Sequence, residues 1–446
     1  MKNIKNLVLA LSVIIFWESC KNKMADYDGI FNNRETYSKS VFELNTVIMG
    51  NNFSPVVGSR NYLYANVAAY EVMAANNPGK FNSLSGQVKG LGKIPLPDPA
   101  KKINTAFASL LAFWKLGQAV TFSTNETTSY VDSLKLLAKN HGMPEEMYNN
   151  SVAYADTVAA VIMAWSKKDN YKETRGMPDY TVYNDSPGRW VPTPPAYAAA
   201  AEPHWNLMRP VVLDSASEFA PPPPLAFNIT DKNSPYYKQV MLLKNTTDSL
   251  TPEQKHIADF WDDNPFKLNV SGHLAFGTKK FSPPGHWMSI VGIAAKKSDA
   301  DYNTTVYAYT KTAIALFDAF ISCWNVKYQY NTVRPETVIN KYIDASWSPH
   351  LQTPPFPEYT CGHSTGSAAC AEALTSVFGE NFAYTDTTET MFGIASRSYK
   401  SFWDAAMENN AARFYGGIHF HSSCLNANAA GKQVGNLVVT KLRMKK

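Results

Sequence analysis

The chain has 446 residues, 45% of them apolar, enough to bury the core of one large domain or of two to three ordinary ones. Its net charge of +5 is mild for this length, and no basic run interleaved with aromatics occurs, which argues against a nucleic-acid partner.

The N-terminus, "MKNIKNLVLALSVIIFWESCKNK", sets Lys2 and Lys5 before an apolar run over 7–17. That run is too short to span a bilayer, and a basic start ahead of a short apolar stretch is the pattern of a secretory signal. Ser19-Cys20 after it resembles the lipobox of bacterial lipoproteins, although Trp17 and Glu18 stand where small apolar residues are preferred. The resemblance implies a signal peptide over 1–20 and lipidation at Cys20. The protein is then expected to be exported and anchored by lipid alone, on the periplasmic or surface face of a bacterial envelope membrane. An ordinary cleaved signal and a short uncleaved anchor are the alternatives. Cys323, Cys361, Cys370 and Cys424 would then sit where disulfides persist; four cysteines allow three pairings, and without a CxxC pair a structural zinc site is not expected.

Apolar residues return every three or four positions over 54–76, 98–122, 128–140 and 154–168, and again over 252–263, 303–328 and 367–379, which predicts helices. Period-two strands are scarce. Between 187 and 235 the stretches "PTPP" and "APPPPLAF" predict an extended or looped cover segment. No fixed-period repeat and no Gly-rich phosphate loop occurs. The fold class is therefore all-α, two packed four-helix-type bundles with a proline-rich irregular insert.

Three segments near the C-terminus carry chemistry. In "WNVKYQYNTVRPETVI", Lys327 and Arg334 are seven residues apart, so a continuous helix would place both on nearly the face of Cys323, and Pro335 is expected to end that helix at Arg334. In "PPFPEYTCGHSTGSAACAEAL", Gly362 and His363 stand at a helix start, where free N–H groups favour an anion. In "NNAARFYGGIHFHSSC", Arg413 and His419 are six apart, and Gly416-Gly417 must turn the chain if the two side chains are to meet. Singly, each has an ordinary explanation as a helix end, a core histidine or a turn.

Together, Lys-x6-Arg-Pro, then Gly-His at a helix start, then Arg-x5-His resembles the three-part signature of the type 2 phosphatidic acid phosphatase and vanadium-dependent haloperoxidase superfamily. "SPPGHW" and "TPPFPEYTCGHSTGSAA" look like its bacterial haloperoxidase branch, and the likeness extends over about 50–440. The resemblance implies a single helical domain over 21–446, with the catalytic half at about 250–440. It implies that Lys327, Arg334 and Arg413, the Gly362 N–H and the position of Cys361 surround vanadate, or phosphate in the same site. His419 would ligate vanadium, His363 would be the acid/base, and Trp324, Pro354, Pro355 and Phe356 would line a halide pocket.

The activity so implied is halide oxidation by hydrogen peroxide. An acid phosphatase hydrolysing a phosphomonoester through a phosphohistidine at His419 is the alternative, and an oxyanion-binding lipoprotein without catalysis is a second. This sequence departs from the family twice: Cys361 replaces the usual Ser or Thr, and the carboxylate commonly found a few residues after the last histidine is missing, which leaves the partner of His419 unassigned. Both departures involve cysteine loops bordering one anion, so a Cys361–Cys424 disulfide is expected. His286, Asp262 and Asp263 are candidates for contacts to the site arginines. His141, His204, His256, His273, His350 and His421 show no ligand spacing and are read as structural.

Overall fold

The computed structural model describes residues 25–183, 185–271 and 274–446. The signal segment, Cys20 and His273 lie outside the described residues. No described helix is long and apolar enough to cross a membrane.

The molecule is organised on one helix, Tyr302–Tyr330. Asp301 starts it by accepting the Thr304 N–H at 2.7 Å, a side-chain cap for an otherwise unpaired donor. Almost every residue through Lys327 is buried, so the helix is an axle rather than a surface element. On one side it packs on Pro55–Asn76, itself packed against Thr105–Ala119 and Glu145–Ser166. On the other it meets Pro283–Lys297, Gly362–Phe378 and His421–Lys441, with Phe402–Tyr415 completing that group. The predicted helical-bundle class is what is found. The described strands are two short antiparallel pairs, Leu268–Ser271 with Leu274–Gly277 and Tyr384–Asp386 with Arg397–Tyr399.

Two local devices fix the C-terminal helices and the proline-rich insert. Gly431 and Gly435 let His421–Lys441 cross Gly362–Phe378 at backbone distance: a Cβ at Gly431 would overlap the Thr365 carbonyl, and one at Gly435 would lie 2.9 Å from the Ala369 carbonyl oxygen. The proline-rich insert contains only a short 3-10 turn, Trp205–Leu207, among its described residues. It is tied to the axle by the fully buried Asp318, whose carboxylate accepts the N–H groups of Val211, Val212 and Leu213 at 2.7, 2.7 and 3.0 Å. Three backbone donors on one carboxylate offset much of its desolvation cost.

One expectation fails here. The axle does not run to Arg334 but ends at Tyr330, where Asn331 turns left-handed (φ 50°) and its N–H returns to the Lys327 carbonyl at 2.8 Å. Asparagine tolerates that conformation where most side chains do not. Arg334 is extended (φ −77°, ψ 150°) and precedes Pro335, the first residue of the helix Pro335–Tyr342. Proline disfavours the α conformation in the residue before it and suits a first helical position, so it sets a new start rather than closing the old helix.

Candidate active site

Lys327, Arg334 and Arg413 converge from three elements, and all three side chains are fully buried. Lys327 Nζ donates to the carbonyls of Pro357 (2.8 Å) and Glu358 (3.1 Å), which leaves one of its hydrogens uncommitted. Arg334 Nε donates to Phe356 O at 2.7 Å and Nη1 to Ile418 O at 2.9 Å, but Nη2 has no partner. Arg413 leaves the last turn of Phe402–Tyr415, and its Nη1 donates to the carbonyls of Trp261 (2.6 Å) and Asp262 (3.1 Å), while Nε has no partner. His363 Nε2 and Ser364 Oγ are also buried without partners. Phe356 lies under two of the cations, 4.9 Å from Lys327 Nζ and 5.0 Å from the Arg334 guanidinium carbon.

Unpaired donors in a dry interior are costly, and here they cluster on cations. Burial pushes the Lys327 amine down to about 8 and the Arg334 guanidinium down to about 10, which measures how poorly these charges are compensated. Burial and then the Arg413 charge hold the His363 imidazole well below its usual range. An anion at the convergence would supply the acceptors that the Arg334 and Arg413 donors lack.

His419 is held in one orientation. Gly417 (φ 76°) turns the chain after Arg413, as the glycine pair predicts, and brings His419 to Arg334. His419 Nδ1 lies 2.9 Å from Glu358 Oε1, and that oxygen also accepts the Phe420 N–H at 3.1 Å. A carboxylate only accepts, so Nδ1 carries the hydrogen; Nε2, 3.1 Å from the donor Arg334 Nη1, then keeps its lone pair toward the cationic pocket.

The opposite edge is the start of Gly362–Phe378. Cys361 precedes it as the capping residue, and a Cβ at Gly362 would touch the Trp324 ring at 3.3 Å, so glycine permits the close approach of backbone and indole. The expected Cys361–Cys424 disulfide is not formed: both thiols are free, although they pack together with Ala427 in a small buried cluster. Cys323 instead faces the Thr360 carbonyl at 3.6 Å.

Residues 307–445 match the family model described as the VCPO second helical-bundle domain. No curated protein matches the sequence. Among solved structures the chain is similar to the first bacterial vanadium-dependent iodoperoxidase, at 45% identity and a TM-score of 0.87, over 93% of this chain and 97% of that one. The chain belongs to the vanadium-dependent haloperoxidase family. Bacterial vanadium-dependent chloroperoxidase shares the fold in its holo form (TM-score 0.64, 87% of this chain, 92% of that) and its apo form (0.67, 88% and 94%), each at 18% identity.

In this haloperoxidase the side chain that orients His419 is one that sequence reasoning missed. It is Glu358, before the helix start, rather than a residue soon after His419. Its signal was a lone carboxylate in the otherwise apolar run "PPFPEYTC", since an ionised side chain rarely enters a core without a partner.

Trp324 and Phe356 pack ring to ring at 5.1 Å beside the cations, and both are buried. Pro355 lines a cavity of about 430 Å³ whose far wall is residues 198–201 and the Arg175–Glu202 ion pair. The insert closes on this wall directly: Trp324 Nε1 donates to Ala201 O at 3.2 Å, and the Ala201 N–H donates to Pro355 O at 2.8 Å. Pro354 accepts the Phe356 N–H at 2.9 Å and shapes the same turn.

His286 does not reach the site arginines. Its Nδ1 faces Asp263 at 3.0 Å and its Nε2 faces Asp386 at 2.9 Å, all three fully buried. Asp262 does reach Arg413, but through its main-chain carbonyl. Asp263, His286 and Glu389 offer ligand atoms within 4.8 Å of one another. Both ring nitrogens of His286 are engaged by carboxylates, however, and an acidic group repels an oxyanion, so vanadate belongs with the cations. The other described histidines sit apart, for example His141 on Asp26 (2.6 Å), His350 on Asp259 (2.9 Å) and His204 on the Pro178 carbonyl (2.8 Å).

Proposed function

We propose that this haloperoxidase oxidises iodide with hydrogen peroxide at the Lys327–Arg334–Arg413 pocket. The observation that carries the reading is the set of unpartnered buried polar atoms, the donors Arg334 Nη2 and Arg413 Nε with the ring nitrogen His363 Nε2, beside a His419 whose Nε2 lone pair is aimed by Glu358. Vanadate fits that set: the three cations and the Gly362 N–H would hold its oxygens, the Cys361 thiol would add a weak donor, and His419 Nε2 would ligate the metal. When bound, vanadate supplies a Lewis-acidic centre that activates peroxide toward a halide.

The chain's own residues do the rest. Glu358 keeps the proton on Nδ1 of His419, so the lone pair on Nε2 need not be exposed by a proton loss first. His363, held uncharged by burial and by Arg413, can take a proton from an incoming peroxide at Nε2 and return it later. Trp324, Phe356 and the Pro354-Pro355 turn exclude water beside the anion and would lower the desolvation cost of a large, weakly hydrated halide. Iodide is chosen because the relative described as an iodoperoxidase is 45% identical over nearly the whole chain. Export, with lipid attachment at Cys20, is proposed on the N-terminal pattern alone, and a catalytic half at about 250–440 on the clustering of these residues.

The test is purified protein assayed with orthovanadate, peroxide and iodide, and in parallel with p-nitrophenyl phosphate. Vanadate-dependent iodide oxidation is expected. Phosphate release inhibited by vanadate, without halide oxidation, would make the protein a phosphatase acting through His419. Oxyanion binding with neither activity would make it a binding protein.

A further inference from the structure

Cys361 and Cys424 are a matched pair set at the edge of the anion pocket. Cys361 caps the helix Gly362–Phe378, Cys424 lies in the first turn of His421–Lys441, and these two helices are packed on each other. Both thiols are fully buried and, with Ala427, form a cluster separate from the main core. The two lie in one cluster, and each is among the groups that act on the other's ionisation, as His419 is on that of Cys361. The remaining two thiols are differently placed: Cys323 faces Thr360, and Cys370 lies in the main core. Cys323 also lies near Lys327 and Cys361, but its sulfur faces Thr360, and only Cys361 and Cys424 share one small cluster.

We propose that Cys361 and Cys424 form a dithiol that hydrogen peroxide, admitted to the pocket as a substrate, oxidises reversibly to an intramolecular disulfide. In the first step the Cys361 sulfur attacks peroxide and the O–O bond breaks. One oxygen stays on sulfur as a sulfenic acid, and the other leaves as water with the remaining proton. In the second step the Cys424 sulfur attacks the Cys361 sulfur, the S–S bond forms, the S–O bond breaks, and the hydroxyl leaves as a second water with the Cys424 proton. The dithiol loses two electrons and one peroxide becomes two waters. Oxidation removes the Cys361 S–H from the pocket and fastens the helix start to the neighbouring helix, so oxyanion affinity falls. A serine at this position, usual in the family, has no such state.

The inference rests on the reading of the pocket as a peroxide-using oxyanion site, and the experiment separates the two. Reduced full-length protein, with and without orthovanadate, is exposed to peroxide in the absence of halide, alkylated and digested without reduction for mass spectrometry. Orthovanadate affinity is measured by calorimetry before and after. The expected result is a Cys361–Cys424 crosslinked peptide that dithiothreitol reverses, with Cys323 and Cys370 still alkylated after denaturation. Affinity should fall about tenfold on oxidation, as for loss of one donor to a charged acceptor. In Cys424→Ser the intermediate should be trapped at Cys361 and label with dimedone. Vanadate binding with both thiols still reduced after peroxide, or with Cys361 driven to sulfinic acid without a crosslink, overturns the proposal. A crosslink in protein that binds no vanadate upholds the dithiol and overturns the reading of the pocket.

Discussion

Two buried polar clusters lie on either side of the Trp261–Asp262 main chain, and they are opposites. On one side Lys327, Arg334 and Arg413 leave donors without acceptors. On the other, Asp263, Asp386 and Glu389 surround His286, Asp262 pairs with Lys267, and both oxygens of Glu389 lack a hydrogen-bond partner. The acidic side balances itself with cations and protons: Lys280 lies 4.0 Å from both Asp262 and Glu389. Against the opposition of burial, Asp263 and Asp386 hold the His286 imidazole well above its usual range. Burial raises the Glu389 carboxyl to about 8. The cationic side has less remedy: the Lys327 amine, pushed down to about 8, can release its proton, but the two guanidinium groups do not shed protons readily. A cluster that balances itself supports structure; one that cannot is waiting for a ligand.

That contrast can be broken most directly at Arg334. Arg334→Met should weaken orthovanadate binding by about 30-fold to several thousandfold, about 2–5 kcal/mol for truncating one partner of a buried charge contact. Its anion-free melting temperature should change little, because relief of an under-compensated buried charge offsets the loss of its bonds to Phe356 O and Ile418 O. A large loss of stability without added anion would mean that Arg334 is structural.

Glu358→Gln is the next largest. The amide can donate to Nδ1 of His419 and so favour the wrong tautomer, and orthovanadate affinity should fall about 10- to 100-fold, as for other partners of ligating histidines. Nitrogen chemical shifts of His419 report the tautomer independently of activity.

The smallest effect is a slope on the acidic side. Because the folded-state value of Glu389, about 8, lies above its usual 4.5, its contribution to stability is complete below 4.5 and is lost as pH rises through about 8. One group contributes at most about 1.4 kcal/mol per pH unit. Glu389→Gln should flatten the urea-unfolding stability profile across that window while leaving orthovanadate affinity within about twofold. Equal slopes in the two proteins would show that Glu389 is already ionised.

The sequence carried the site's donors well and its supports poorly. Lys327, Arg334, Gly362, His363, Arg413 and His419 were readable because each motif is local and its residue types suit one ligand, and the structure brings all six together. Glu358 was not readable as the partner of His419, because the two are separated by the whole of Gly362–Phe378 and Phe402–Tyr415 and meet only in the tertiary fold. The end of the axle at Tyr330 was misplaced for a different reason: Pro335 is a strong local breaker, but the conformation of Asn331 decides first. Helices such as Arg34–Gly50 and His421–Lys441 went unnamed since their apolar stripes are weak and packing completes them. The acidic cluster was legible only as scattered carboxylates, with no hint that His286 would gather them.

Asp318 has a wider meaning than a loop tie. It holds the proline-rich cover by backbone N–H groups alone, so the side chains at 211–213 are not read by this attachment. The anchor shares a rigid helix with Lys327, and Val211, Val212 and Leu213 are themselves buried in the main core, so one helix fixes where the cover lies relative to that lysine.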